Sequence, residues 1–383
     1  MIMKYPGLIE ALKKFIPFRV RSFVRSHFIL LDYDKYIWNK SRPVEEDEWV
    51  SREPQYPFKI GIIREFANYH KHYAAACREM GVSYSILDIS KSKWIEAVRT
   101  SGCDAFLAWP SAALTIWKEM YDERLKIMVE EMGKLVYPSY KELWIYESKR
   151  RTRDWLEANQ VPSPRTEIFY ELKEALAFIG RSEMPIVIKT SQGASSKGVS
   201  IFRDRRKARN WIKKAFRKGI TPRRGDPRDR HWGHVIMQEY LPQVKEWRMV
   251  RIANSYFGHP KGRVGDFHSG SGRVLWDTPP VSLLEFLKQV TDIGGFTSMD
   301  VDVFETRDGR YLVNELQTVF GASYSKDQLH VDGRPGRFLF MQDRNQWIFE
   351  EGDFARNSCA NLRIEYLLTQ LTKRDKREAC IRK

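Results

Sequence analysis

Residues 184–202 restrict the fold more than any other stretch of this chain. Ile186, Val187 and Ile188 form a short apolar run, and Lys189 ends it. Gly193 and Gly198 bracket Ser195 and Ser196, and Val199, Ser200, Ile201 and Phe202 return to a β pattern. The spacing predicts strand, glycine-rich loop, strand. Loop amides and serine hydroxyls can donate to phosphate oxygens, and a lysine on a rigid strand adds a point charge. The order excludes a Walker-type loop, which needs Gly-Lys-Ser/Thr followed by a helix; here Lys197 precedes Gly198 and a strand follows. Taken alone, the stretch fits a plain hairpin equally well.

Two later stretches remove that balance. Val235–Tyr240 reads as an apolar strand running into Leu241-Pro242, followed by Glu246-Trp247-Arg248. Further on, Phe296–Phe304 and Tyr311–Leu316 read as strands joined by an Asp308-Gly309 turn. Such a hairpin brings Asp302 beside Glu315. Period-two alternation then puts Val313, Glu315 and Gln317 on one face. Two carboxylates and an amide oxygen make a hard-oxygen set suited to Mg²⁺, with Asp300 as an alternative ligand. In this order the three stretches resemble the ATP-grasp superfamily, in the flavour of carboxylate–amine ligases related to glutathione synthetase and the ribosomal-protein glutamate ligases. The resemblance covers roughly residues 56 to 355.

The resemblance implies an α/β (α+β) ATP-grasp fold behind a Rossmann-like pre-ATP-grasp domain. Four parts are expected: an N-terminal basic amphipathic extension (1–55), the pre-ATP-grasp domain (56–140), a lobe with the glycine-rich loop (141–242), and a C-terminal lobe with the metal site and a basic tail (243–383). It also implies roles. Lys149 and Lys189 would hold ATP, with Arg150 and Arg151 leaving the first position uncertain by a residue. Gly193, Ser195, Ser196 and Gly198 would close over the phosphates. Gln238, Glu239, Tyr240 and Leu241 would line the adenine hinge, and Glu246 would take the ribose. Asp302, Glu315 and Gln317 would hold Mg²⁺, although the family usually has asparagine where Gln317 stands. Arg263 would face an acyl phosphate, with Lys261 as the alternative and Arg248 as helper. Glu65, Asn68 and His268 would contact substrate. The implied activity is an ATP-dependent, ADP-forming joining of a carboxylate to an amine through an acyl phosphate.

The α/β texture from residue 58 to 137 agrees with this reading. Apolar strand patterns at 58–64, 83–89, 105–109 and 135–137 alternate with helical patterns at 69–81, 91–102 and 115–133. Such alternation implies a parallel sheet with crossover helices. A helix is expected over 142–159, stopped by Val161-Pro-Ser-Pro164. Glu45–Glu48 reads as a solvated loop. His70-Lys-His72 and His231-x-x-His234 lack the face or the third ligand for a metal, and no HExxH occurs.

Charge adds a second theme. The formal net charge is +16, and residues 203–230 alone hold thirteen Lys/Arg against three Asp. An excess of this size favours anionic partners. A weakly or non-catalytic nucleotide-binding protein that docks a polyanion or an anionic membrane surface is therefore the alternative from another class. An amino-acid ligase acting on a protein or an acidic surface-polysaccharide precursor is the alternative within the fold. No nucleic-acid-binding motif accompanies the patch. In the first 31 residues, Val20, Phe23, Val24, Phe28 and Leu31 have helical spacing, with Arg19, Arg21 and Arg25 largely off the stripe. Packing on the protein's own core is the favoured role, and contact with an anionic membrane surface the other. Cys77, Cys103, Cys359 and Cys380 are scattered, and no apolar run approaches the roughly 20 residues of a membrane span. A cytoplasmic location is expected, and a homo-oligomer is compatible with the resemblance.

Overall fold

The structure, a computed structural model, describes residues 16–28, 47–191, 198–222, 225–263, 265, 275, 277–320 and 329–381. The chain divides into two compact units: residues 1–36 with 167–240, and residues 37–166 with 241–383. Residues 141–166, read from the sequence with the glycine-loop lobe, thus cluster with the second unit.

In the first unit, β6 (Thr166–Phe169), β7 (Ile186–Lys189), β8 (Val199–Phe202) and β9 (Val235–Glu239) form a sheet in the order β6-β9-β7-β8. Ile186, Ile188, Val235 and Met237 pack on α7 (Leu172–Arg181) and α8 (Arg205–Lys218) through Ala175, Ile179, Ala208, Ile212 and Ala215. The other face of β7 and β9 carries Val187, Lys189, Ile236 and Gln238 by alternation and register. Helix α8 starts where the Asp204 carboxylate accepts from the Lys207 amide at 2.7 Å. Helix α1 (Phe18–Phe28) exposes Val20, Phe23, Val24 and Phe28. These four residues of the stripe expected to pack on the core are therefore open to solvent, and Leu31 lies outside the described residues.

The second unit opens with a five-stranded sheet, β1 (Glu48–Trp49), β2 (Lys59–Ile63), β3 (Ser83–Leu87), β4 (Ala105–Leu107) and β5 (Val136–Tyr137), in the order β1-β3-β2-β4-β5. All pairs are parallel except the edge strand β1. Glu48, expected in a solvated loop, lies on that edge and binds Lys59 at 2.5 Å. One face of the sheet packs on α2 (His70–Glu79) and on the C-terminal helix α10 (Arg356–Ile381). The other packs Phe106, Ile63 and Val136 against α3 (Trp94–Thr100) and α4 (Thr115–Glu130).

A larger antiparallel sheet follows, from β10 (Lys245–Ile252), β11 (Ser255–Lys261), β12 (Ser298–Glu305), β13 (Tyr311–Gln317), β14 (Leu329–Val331), β15 (Arg334–Met341) and β16 (Gln346–Glu351). Its order is β13-β12-β10-β11-β15-β14, with β16 pairing β15. Strands β15 and β16 form a hairpin. Trp247, Met249, Met299, Val301, Val303, Val313 and Leu316 face α9 (Val281–Gly294). On the opposite face, Val250, Ile252 and Phe257 meet Cys359 and Leu362 of α10. Helix α10 thus covers part of both sheets, which explains their membership in one unit.

The helix expected over 142–159 is two helices, α5 (Tyr140–Ile145) and α6 (Lys149–Ala158). Ser139 and Glu142 form a capping box at the start of α5. Glu142 is fully buried and also accepts from the amides of Thr297 and Ser298. It therefore ties α5 to the first residue of β12.

Candidate functional site

In the second unit, one face of the antiparallel sheet changes from apolar to charged along its strands. Register places Glu315, Asp302, Arg248 and His259 in one row across β13, β12, β10 and β11. The next row holds Gln317, Asp300, Val250 and Phe257. Asp302 does stand beside Glu315, but a bulge intervenes between Asp302 and Val303, which pairs with Val313. Asn314 is the extra residue. It turns Val313 to the α9 core, so Val313 does not share the face of Glu315 and Gln317.

The charged part of this face is dense and largely buried. The Lys261 ammonium donates to Glu246 at 2.9 Å and also to Asp302. Arg248 Nε lies 3.1 Å from Asp300 and 3.8 Å from Asp302. The nearer contact lacks hydrogen-bond alignment, so neither carboxylate oxygen of Asp300 accepts a hydrogen bond. Lys149 lies 3.5 Å from Glu315. Burial opposes charge on Lys149, but Glu315 and Glu147 outweigh it and raise its pKa. Burial likewise opposes charge on Lys261, and Asp302 and Glu246 reverse the balance. Burial pushes the carboxyls of Asp300 and Glu246 up, against Arg248 and Lys261 respectively.

The donor set was tested against Mg²⁺ on its acceptor atoms. Asp302 Oδ1, Gln317 Oε1 and both oxygens of Asp300 are buried without a hydrogen-bond partner. Buried acceptors left this way favour a cation or donor that would satisfy them. Gln317 reaches Glu315 only through its Nε2, at 3.5 Å. Among the described residues, no three His, Cys, Asp or Glu side chains converge closely enough to hold a metal alone. That pattern fits Mg²⁺, which binds through one or two carboxylates together with nucleotide phosphates rather than in an all-protein cage. Asp302, Glu315 and Gln317 are the residues that would hold it, with Asp300 next to them.

In the first unit, Lys189 ends β7 and is buried. The neck of the glycine-rich loop is closed by the Thr190 amide, which donates to the Gly198 carbonyl at 2.8 Å. Beside it, Ser191 Oγ and His234 Nε2 are 2.6 Å apart, and His234 Nδ1 lies 3.2 Å from the Trp232 carbonyl. The Nδ1 contact requires a proton there, so neutral His234 accepts from the serine hydroxyl. Strand β9 ends at Glu239, Tyr240 closes the first unit, and Leu241 opens the second.

A family model for the phosphoribosylglycinamide synthetase ATP-grasp (A) domain matches residues 147–228. This span takes in both Lys149 and Lys189. The segment matches an ATP-grasp domain, and the fold of the chain is ATP-grasp. Solved structures agree on the fold. An ADP complex of N5-carboxyaminoimidazole ribonucleotide synthetase superposes with a TM-score of 0.52 at 17% identity, covering 70% of this chain and 72% of the other. The synthetase from Staphylococcus aureus, also with ADP, gives 0.51 at 13% identity, covering 73% and 74%. The biotin carboxylase domain of a Hydrogenobacter thermophilus 2-oxoglutarate carboxylase gives 0.50 at 14% identity, covering 70% and 65%. No curated protein sequence matches significantly.

Several residues on this ATP-grasp fold stand differently from expectation. Lys149, not Arg151, reaches the carboxylate face; Arg151 binds Asp122 and the Trp144 carbonyl, which fixes the register of α6. Arg263 is exposed and donates to the Gly265 carbonyl of its own loop at 2.7 Å. The cations on the carboxylates are instead Lys261 and Arg248. Glu246, expected at a ribose, is buried against Lys261. Glu65, expected at substrate, is 1% exposed and accepts from the amides of Ala67 and Tyr69 at the start of α2. It braces the turn that follows β2. Asn68 is half-buried with φ 65° at the same turn. Gly193, Ser195, Ser196 and His268 lie outside the described residues.

Two residues of the site were not singled out from the sequence. Glu147 is buried with φ 55° in the break between α5 and α6, near Lys149. It reads as a helix-interior glutamate, and nothing in the sequence marks its backbone. His259 sits across from Arg248, and only strand register reveals it.

Proposed function

We propose that this protein is an ATP-dependent, ADP-forming ligase that joins a carboxylate to an amine through an acyl phosphate. The observation that carries the reading is the charged row Glu315–Asp302–Arg248, with Lys149 and Lys261 bound to its carboxylates. Buried acceptor oxygens of Asp302 in that row, and of Asp300 and Gln317 in the next, would suit Mg²⁺. The ADP in two of the similar structures supports ATP as the nucleotide consumed.

In the reaction, a substrate carboxylate oxygen forms a bond to the γ-phosphorus, and the bond from that phosphorus to the β,γ-bridging oxygen breaks, releasing ADP. The amine nitrogen then bonds to the acyl carbon, the carbon–oxygen bond to phosphate breaks, and the amine proton passes to solvent. The metal, when bound, would offset phosphate charge. Lys149 and Lys189 hold phosphate oxygens, and Arg248 and Lys261 face the charge that develops on the transferred group. Catalysis of this kind is positioning and charge neutralisation, with no covalent nucleophile from the protein.

The test is thermal stabilisation by Mg·ATP, Mg·ADP and Mg·GTP, on the native protein and Lys189→Ala. A ligand at about 100 times its Kd adds about 2.7 kcal/mol. A magnesium-dependent adenine-nucleotide shift that Lys189→Ala abolishes is the expected result, followed by a screen of carboxylates and amines for ADP release. No shift with any nucleotide at millimolar concentration would sink the reading.

A further inference from the structure

The most unusual surface of the first unit is the outer side of α8. Arg206, Lys207, Lys213, Lys214, Arg217 and Lys218 are exposed there. Among the described residues, none of these six side chains has an ion-pair or hydrogen-bond partner. The two other cations of the helix serve its packing: Arg205 donates to the Ser182 carbonyl at 2.9 Å and Arg209 to the Leu176 carbonyl at 3.2 Å. Asp204 is taken up by the cap.

This arrangement works against the helix. Arg205, Arg206 and Lys207 occupy its first turn, where the dipole disfavours positive charge. Lys213 with Arg217, and Lys214 with Lys218, are like charges four residues apart, and such pairs cost about 0.2–0.5 kcal/mol each. The cations come in adjacent pairs, about 10 Å and then about 6 Å apart along the axis. An anionic chain lying along α8 would relieve all of these repulsions together.

Two aromatic residues extend the surface. Trp232 is 67% exposed, and its Nε1 donates to the Phe216 carbonyl near the end of α8 at 2.8 Å. The ring is thus pinned beside Arg217 and Lys218. Arg230 joins them, donating to the Lys218 carbonyl at 3.4 Å. Tyr170 is 59% exposed and stands 5.9 Å from the His234 ring, which in turn binds Ser191 at the neck of the glycine-rich loop.

We propose that the outer side of α8, together with Trp232, binds an acidic polysaccharide whose repeating sugars carry carboxylates. Lysine and arginine meet the carboxylates, and the exposed indole stacks on the flat face of a sugar ring. An anionic membrane fits less well, because every exposed residue of α8 is charged apart from Asn210, leaving no apolar side chain to insert. Single-stranded nucleic acid shares the charge and stacking chemistry, but it carries no carboxylate for a ligase to activate. That last step rests on the function proposed above; the binding itself does not.

Polygalacturonate is the probe, with its carboxyl-reduced neutral form, poly(U) RNA and phosphatidylglycerol vesicles beside it. Binding is measured for the full chain, for the combined K213Q/K214Q/R217Q/K218Q variant and for Trp232→Ala. The native chain should bind polygalacturonate in a salt-dependent way and ignore the reduced polymer. The quadruple variant should bind at least tenfold more weakly, and Trp232→Ala several-fold more weakly. The Mg·ATP thermal shift should be unchanged in both variants. Native-like binding by the quadruple variant or by Trp232→Ala, or tighter binding of poly(U) or vesicles than of polygalacturonate, would overturn the proposal. Polygalacturonate binding without any nucleotide shift would leave it standing and remove the ligase reading alone.

Discussion

Lys189 and Lys261 are both buried lysines at the ends of β-strands, yet they sit in opposite settings. Lys189 shares its sheet face with Val187, Ile236 and Gln238. Lys261 is clasped by Glu246 and Asp302 on a face that also holds Asp300, Arg248 and Glu315. The first face offers positive charge to an incoming anion. The second already holds Lys261 and Arg248 against its acids, so a phosphate entering there must exchange partners, while the acceptor oxygens left over can meet a cation. A lysine in the second setting is locked into the fold by two carboxylates.

Substituting methionine at each position tests this most severely. Lys261→Met strands two buried carboxylates, and breaking a buried pair by removing one partner costs about 3–5 kcal/mol. Lys189→Met should cost less than Lys261→Met, because it strands no pair of buried carboxylates, while abolishing nucleotide stabilisation. Urea unfolding of both variants, with and without Mg·ATP, checks the contrast; equal losses of stability would break it.

A glycine sharpens the picture on the acidic sheet. A Cβ at Gly258 would lie 2.2 Å from the Arg248 carbonyl oxygen. Gly258→Ala must therefore push β11 away from β10, at about 1–3 kcal/mol, and displace Arg248 from Asp300. A lowered Tm with a weakened response to Mg·ATP is the expected pair of observations.

The next effect is one of pH. Burial pushes the Glu65 carboxyl up to about 8 and lowers the His70 imidazole to about 3. Glu65 keeps its proton when folded and loses it when unfolded, so its contribution to stability falls as pH rises from the ordinary carboxylate range to about 8. His70 stays neutral when folded, so its contribution falls as pH drops below its ordinary value toward about 3. The two slopes oppose each other at mildly acid pH. Above pH ~6.5 only Glu65 of the two acts, and its own contribution should fall by about 2 kcal/mol by pH 8. Tm measured across this range in native protein and Glu65→Gln tests it: the variant should lose the decline.

The smallest effect concerns the loop neck. His234→Ala removes the partner of Ser191, worth about 0.5–1.5 kcal/mol locally. Faster amide exchange at Thr190 and Gly198, with the global Tm nearly unchanged, is expected.

Much of this was legible in the sequence because local patterns carry it. The βα alternation from 58 to 137 gave the parallel sheet. The Asp308-Gly309 turn gave the pairing of Asp302 with Glu315. What escaped depends on tertiary placement. The break at Glu147 has no glycine or asparagine to mark its positive φ. Arg263 and Lys261 are two residues apart, and only the end of β11 at Lys261 decides which side chain remains on the sheet. Glu65 looked like a strand-end ligand, since a buried carboxyl bracing the turn after a strand has the same local sequence.

The bulge at Asn314 has a consequence for anyone who would move this chemistry elsewhere. Strand alternation acts like parity: one added residue exchanges inside for outside along everything beyond it. Asn314 supplies that single step, letting Val313 point to the core while Glu315, one pairing further, points to the acids. A hairpin grafted without it would deliver either a buried glutamate or an exposed valine. The transferable module is therefore the whole of residues 298–317, and its least conspicuous member is the one a designer would be most tempted to delete.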